Sequence, residues 1–212
     1  MLTLLSGHSI GAKRSQARVL RLTSAFVLGA GTMTVLLLSF VSLVLLNVFT
    51  EGVPALAWAV ACGLAFGVGV AIWMFYYRKG KGTGLWIPRP IAEFLNERTK
   101  ATKRSVEAYS LGLISVLGEI IFLIAPLSIA GLILIGLDPL WQLAGIALYT
   151  IVSLISIDIV HVLVGSGHKI SRIQKWREKH KKFLQFVAGS GLMVLGFYVY
   201  VATVVASSTG GA

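Results

Sequence analysis

Every lysine and arginine of this chain lies in one of three blocks, and this distribution constrains the fold more than any other feature. The blocks cover residues 13–21, 78–104 and 169–182, and the stretches between them, residues 22–77 and 105–168, contain no Lys or Arg. Each stretch is long enough to cross a bilayer twice, since one spanning helix needs about 20 apolar residues. The composition agrees, because a chain that is 56% hydrophobic has too little polar surface for a soluble domain. The sequence therefore predicts a polytopic membrane protein.

We predict an all-α transmembrane helix bundle that occupies residues 1–212 as a single domain. About five spanning helices are expected. Their predicted bounds are residues 24–49, 54–77, 109–137, 139–164 and 183–206, with loops at residues 78–108 and 166–182. These five stretches are called the first to the fifth apolar segment below.

The basic blocks also predict the orientation of the chain. Cytoplasmic loops of membrane proteins carry an excess of Lys and Arg, so the N-terminus and the two long loops are expected in the cytoplasm. The short turns that carry Glu51 and Asp138 are then outside, as is the C-terminus. We therefore predict a multi-pass protein of the cell membrane, with its basic loops on anionic lipid headgroups. Nucleic-acid binding is not expected, because no aromatic-basic motif accompanies the net charge of +11.

Two carboxylic acids within apolar segments are the first candidates for a functional role. Glu119 lies in the third segment and Asp158 in the fourth. A carboxylate in hydrocarbon is costly and by default marks a functional site. Both acids lie about 10–15 Å from the inner ends of their segments, so they could face one inward-open cavity and bind a cation or share a proton. The structural alternative is that Asp158 hydrogen-bonds His161 at i+3 or reaches the loop cations.

Three further positions extend the candidate site. Ser115 lies one helical turn before Glu119, and we expect it, with His161, to contribute to ion or solute binding. Pro126 lacks a backbone N–H and is predicted to kink or break the third segment beyond Glu119. Broken helices beside a buried ionisable group are common at transport sites, although they also occur as inert kinks.

Small residues at four-residue spacing run along the second segment. One row contains Gly63 and Gly67, and another contains Gly69. Small residues let helix backbones approach closely, which promotes helix association in lipid. We predict that the second segment is packed on both faces, and packing alone is enough to explain these glycines.

Other chemistry has little support. Cys62 is the only cysteine, so neither a disulfide within the chain nor a thiolate metal cluster is expected. Ser166-Gly167-His168 and Arg89-Pro90 partly resemble the type-2 phosphatidic acid phosphatase family, but the spacing of that family's pattern fails here. An enzyme acting on lipid is therefore the weakest of three hypotheses. We expect no enzyme activity, no catalytic residue, no cofactor and no metal site.

The last half of the chain combines several motifs. They are Ser110-Leu111-Gly112-Leu113 through Glu119, Ile173-Gln174-Lys175-Trp176-Arg177, and Gly191 through Gly196-Phe197-Tyr198. With its long basic middle loop, the chain resembles small exporters of the lysine-exporter superfamily. The resemblance implies export of a small solute or ion by two three-helix halves. The chain has five segments where the superfamily has six, so they would be five of an ancestral six, with the first helix, before Leu2, absent. The cysteines of the superfamily's redox branch are missing, so electron relay is not expected.

We therefore predict a membrane transporter or exporter of a small solute or cation. Its binding or coupling residues would be Glu119, Asp158, Ser115 and His161. The alternative is a non-catalytic subunit of a membrane protein complex, in which the acids only fix helix packing. Either kind of protein could also form a homo-oligomer.

Overall fold

The chain folds into long helices. The computed structural model describes residues 12–76, 104–166, 175–176 and 178–206, and these residues form no strand, which confirms the all-α prediction. The helices are α1 (Ala12–Val48), α2 (Ala55–Tyr76), α3 (Ser105–Gly118), α4 (Ile120–Ile135), α5 (Pro139–Gly165) and α6 (Lys181–Tyr200), and α6 continues as a π-helical turn over Val201–Val205. By length and composition α1, α2, α5 and α6 could each cross a membrane, and the bent pair of α3 and α4 could supply a fifth span. These helices fit a multi-pass membrane protein.

Helix α1 begins well before the first apolar segment. Its 37 residues start at Ala12 and include the basic block at residues 13–21. Lys and Arg are good helix formers, whereas hydropathy marks only the part of a helix that suits lipid. At 1.5 Å per residue α1 is about 55 Å long, which exceeds the hydrocarbon thickness of about 30 Å. Most of the two predicted cytoplasmic loops lies outside the described residues.

Both predicted outer turns lie between helices. In the first turn Gly52 has a φ of +105°, in the left-handed region that favours glycine. In the second turn Asp138 precedes α5, and its carbonyl oxygen accepts the backbone N–H of Gln142 at 2.9 Å. Pro139 is the first residue of α5, where its missing N–H and fixed φ suit the start of a helix.

The chain divides into two compact units, which are described separately. The first unit comprises Met1–Leu36, Gly84–Ile120 and Ala147–Lys179, and the second comprises Leu37–Thr83, Ile121–Ile146 and His180–Ala212. Among described residues, the first unit therefore holds the early part of α1, helix α3 and most of α5.

In the first unit, α1 and α3 touch backbone to backbone. A methyl group on Gly29 would meet the carbonyl oxygen of Tyr109, and one on Gly112 would meet that of Phe26. Only glycine permits this approach without a shift of one helix. Beside the crossing, the buried side chains of Phe26 and Leu111 form an apolar cluster, which residues of α5 also contact.

In the second unit, α2 packs against α6. A methyl group on Gly69 would lie 2.8 Å from the carbonyl oxygen of Gly189. The Trp73 ring stacks on Phe186 with 5.2 Å between ring centroids, and its Nε1 donates a hydrogen bond to the Phe186 carbonyl at 3.3 Å. The row of small residues that contains Gly69 therefore faces α6.

The other row of small residues on α2 is open. Gly63 and Gly67 are exposed, and a methyl group on either would have no atom of the described chain within 4 Å. The two-sided packing predicted for this helix is thus seen on one face only, because α6 covers the row of Gly69 and no described helix covers the row of Gly63 and Gly67.

Candidate functional site

The first unit contains all four residues that the sequence analysis assigned to ion or solute binding. Ser115 lies on α3 and is half-buried, and Glu119 directly follows α3. Asp158 and His161 lie on α5, and both are half-buried. Glu119 is exposed, so neither acid is buried among protein side chains as the sequence analysis had expected. That expectation was wrong because an apolar neighbourhood in the sequence does not by itself enclose a side chain in the fold.

A break in the third apolar segment lies at Glu119. Helix α3 ends at Gly118 and α4 begins at Ile120, and the two helices are bent by 78°. Glu119 itself has φ −100° and ψ 8°, and its N–H donates to the Val116 carbonyl at 3.1 Å. Glycine is a poor helix former, and Gly118 directly precedes this break.

The 78° bend lies at Glu119, so the third segment does not break at Pro126, and a kink at Pro126 stays a prediction. Pro126 stands inside α4, whose helical geometry runs from Ile120 to Ile135. A proline removes one backbone donor, and a membrane-spanning helix tolerates this loss when neighbouring groups satisfy the freed carbonyl. The interruption therefore coincides with the acid itself.

Helix α3 ends at Gly118, so the C-terminal end of the helix, which is the negative end of its dipole, lies beside Glu119. The Glu119 carboxylate adds a formal negative charge at this end. Carboxylate and carbonyl oxygens suit hard cations, so the local chemistry favours a cation or an ammonium group.

His161 connects α5 to α1 through two hydroxyl groups. Its Nδ1 lies 3.0 Å from Thr23 Oγ1, and its Nε2 lies 3.4 Å from Ser24 Oγ. Both hydroxyls donate to the carbonyl oxygen of Leu20, each at 2.9 Å. Thr23 is fully buried and Ser24 half-buried. We call these three side chains, with the Leu20 carbonyl, the His161 cluster.

Asp158 is not part of the His161 cluster. Its carboxylate forms no hydrogen bond or ion pair with any residue that the structure describes. The suggested bond from Asp158 to His161 at i+3 is therefore not formed, and Asp158 does not share a proton with Glu119. The histidine bonds across to α1 instead.

Thr23 and Ser24 were not singled out by the sequence analysis. Serine and threonine in apolar helices commonly bond to the carbonyl of the preceding turn, so their presence alone is a weak signal. A stronger signal was available in their depth. Ser24 is the first residue of the first apolar segment and Thr23 directly precedes it, and His161 lies near the inner end of the fourth segment. The predicted topology therefore puts all three at one level.

Within the described ranges no three His, Cys, Asp or Glu side chains are placed to hold a metal ion. Cys62 is a free, buried cysteine in the second unit.

No protein-family model, curated protein or solved structure matches this chain.

Proposed function

We propose that this chain is an integral membrane transporter or exporter of a small cation or cationic solute, with Glu119 at its binding site. The observation that carries the proposal is the one-residue break at this acid, where an apolar segment bends by 78°. Irregular backbone at membrane depth is tolerated only inside protein or beside a water-filled cavity. Secondary transporters use discontinuous helices of this kind to bind substrates and coupling ions.

The charge at the break sets the class of substrate. The carboxylate of Glu119 and the negative end of α3 both attract positive charge. On the cytoplasmic side, the basic blocks would attract anionic lipid headgroups and hold the protein in its predicted orientation. The superfamily resemblance of the sequence points to the same class, export of a small solute or ion.

The test is transport by the purified full chain in liposomes. Tracer amounts of radiolabelled sodium, rubidium and lysine would be followed with wild type, Glu119→Gln and Glu51→Gln. Glutamine keeps the size of the side chain and removes its charge, so we expect Glu119→Gln to abolish the flux. Glu51 is exposed in the turn between α1 and α2, so its variant should transport like wild type.

Circular dichroism and the elution volume in detergent would show whether Glu119→Gln is folded. A folded Glu119→Gln variant with wild-type flux would remove Glu119 from the site. Absence of flux of all three tracers with the wild type would count against transport of small cations altogether.

A second candidate function is that of a non-catalytic subunit in a membrane complex. The observation in its favour is the open row with Gly63 and Gly67 on α2, where a helix of another chain could approach closely. Gentle extraction from native membranes, followed by mass measurement, distinguishes the two functions. A stoichiometric foreign partner would favour the subunit if the Gly63→Leu, Gly67→Leu double variant loses it. The control variant, Gly191→Leu, should keep this partner. A chain that is alone or self-associated would favour the transporter.

A further inference from the structure

We infer that the His161 cluster is a proton-binding site, and that the proton is the coupling ion of the transporter. The coupling role rests on the proposed function, whereas the proton site stands on the hydrogen bonds alone. The inference moves the protonatable group from the two acids that the sequence suggests to a histidine held between α1 and α5.

When the imidazole is charged, every N–H and O–H of the cluster has an acceptor. Each hydroxyl has one proton, and each oxygen lies 2.9 Å from the Leu20 carbonyl oxygen, to which it can donate that proton. When both protons are donated in this way, Thr23 Oγ1 and Ser24 Oγ face the ring with their lone pairs. An imidazolium carries a proton on both nitrogens, so it can donate to Thr23 through Nδ1 and to Ser24 through Nε2.

The neutral ring can be accommodated by the rotation of one hydroxyl proton. Ser24 is the hydroxyl better placed to turn, because it is half-buried and its 3.4 Å contact is the longer one. If Nε2 loses its proton, the Ser24 hydroxyl can turn from Leu20 and donate to Nε2. Thr23 still donates to Leu20, and Nδ1–H still donates to Thr23. Both charge states are thus satisfied without movement of a heavy atom.

No charged side chain in the described ranges bonds to the ring, so the two hydroxyls determine how it holds its proton. The titratable residues on the helices that pack here are Lys13, Arg14, Arg18 and Arg21 on α1, Arg104, Glu107, Tyr109 and Glu119 along α3, and Tyr149 and Asp158 on α5. His161 lies one turn before the end of α5 and is half-buried. The ring is thus close to the helix end through which a proton would arrive.

The proton site is tested by nitrogen NMR of the full chain, labelled on histidine and reconstituted in phosphatidylcholine–phosphatidylglycerol liposomes. The signal of His161 is the one that His161→Gln removes. A proton-binding site requires that this signal shows both an imidazolium and a neutral ring as the pH is varied. The neutral ring should keep its proton on Nδ1, the nitrogen that faces Thr23.

Thr23→Val provides the matched variant. Valine has the shape of threonine without the hydroxyl, so Nδ1 loses its acceptor, and the neutral ring should move its proton to Nε2 to donate to Ser24. A ring that stays in one protonation state at every pH at which the protein remains folded would overturn the inference. So would a wild-type proton on Nε2, or a tautomer that Thr23→Val leaves unchanged.

The coupling role is tested separately, with the same tracers and an imposed pH gradient. We expect wild type and His180→Gln to accumulate the transported tracer, and His161→Gln to allow only equilibration. If NMR shows the proton site and wild type moves no tracer, the proposed function fails and the proton site stands. If tracer moves and the pH gradient has no effect on accumulation, the coupling role fails and transport stands.

Discussion

Replacing Gly112 with alanine tests the closest helix contact in the first unit. The new methyl group would lie 2.8 Å from the backbone nitrogen of Ala30 and would also meet the carbonyl oxygen of Phe26. Favourable contacts between non-bonded heavy atoms lie near 3.5–4.0 Å, so α1 would have to move by about 1 Å. Backbone atoms cannot rotate out of the way as the end of a side chain can.

The expected cost follows from this forced movement. Overpacking of a close contact costs about 1–3 kcal/mol, and a displaced α1 also loosens the contact between Phe26 and Leu111. Alanine in a helix recovers about 0.5–1 kcal/mol relative to glycine. The difference between these two ranges is about 0–2.5 kcal/mol, and the loosened contact adds to the loss, so we expect Gly112→Ala to lower the free energy of unfolding by about 1–2 kcal/mol.

The assay is unfolding of the purified protein in mixed micelles with increasing dodecyl sulfate, followed by circular dichroism. The matched control is Gly67→Ala in α2, where the new methyl group would have no described atom within 4 Å. This variant should be unchanged or more stable by up to about 1 kcal/mol. The two substitutions are chemically identical and differ only in their surroundings. A Gly112→Ala protein as stable as wild type, or equal losses in both variants, would refute the reasoning.

Two further predictions concern α6 and the orientation of the chain. Gly189→Ala should cost about 1–2 kcal/mol in the same assay, because the methyl group would lie 2.8 Å from Nε1 of Trp73; unchanged stability would show that the ring moves freely. To test the orientation, single cysteines are introduced in a Cys62→Ala background and labelled with a membrane-impermeant maleimide. Glu51→Cys should be labelled in intact cells, and Lys175→Cys only after permeabilisation. The reverse pattern would contradict the predicted orientation.

The apolar segments and the turns between them are local features, and here prediction from the sequence succeeds. Hydropathy over about 20 residues measures the transfer of a helix into lipid, which does not depend on neighbouring helices. The start of α5 is equally local, because Asp138 and Pro139 stand at positions where a helix favours these residues. The all-α class follows from these two properties alone.

The break in the third segment shows where local reasoning fails. Proline is the strongest helix breaker, so the sequence favoured Pro126, yet the helix continues through it and stops at Glu119. The cost of a missing hydrogen bond depends on what surrounds the carbonyl that loses its donor. That environment belongs to the tertiary structure.

The sequence also does not predict which face of a helix packs against another helix. Helix α2 carries small residues on two faces, and its pattern does not distinguish the row of Gly69, which contacts α6, from the open row of Gly63 and Gly67. In lipid both faces are apolar, so polarity does not mark which one meets protein. The position of α6 decides this.

By itself, the sequence determined which stretches become apolar helices and, from the basic blocks, predicted the side of the membrane for each loop. Only the tertiary structure decided that His161 meets Thr23, which is 138 residues away in the chain, and that Asp158 does not join them. Transfer into lipid is an additive property of single segments. A hydrogen bond between two helices depends on their rotation and depth, which the packing of the whole unit fixes.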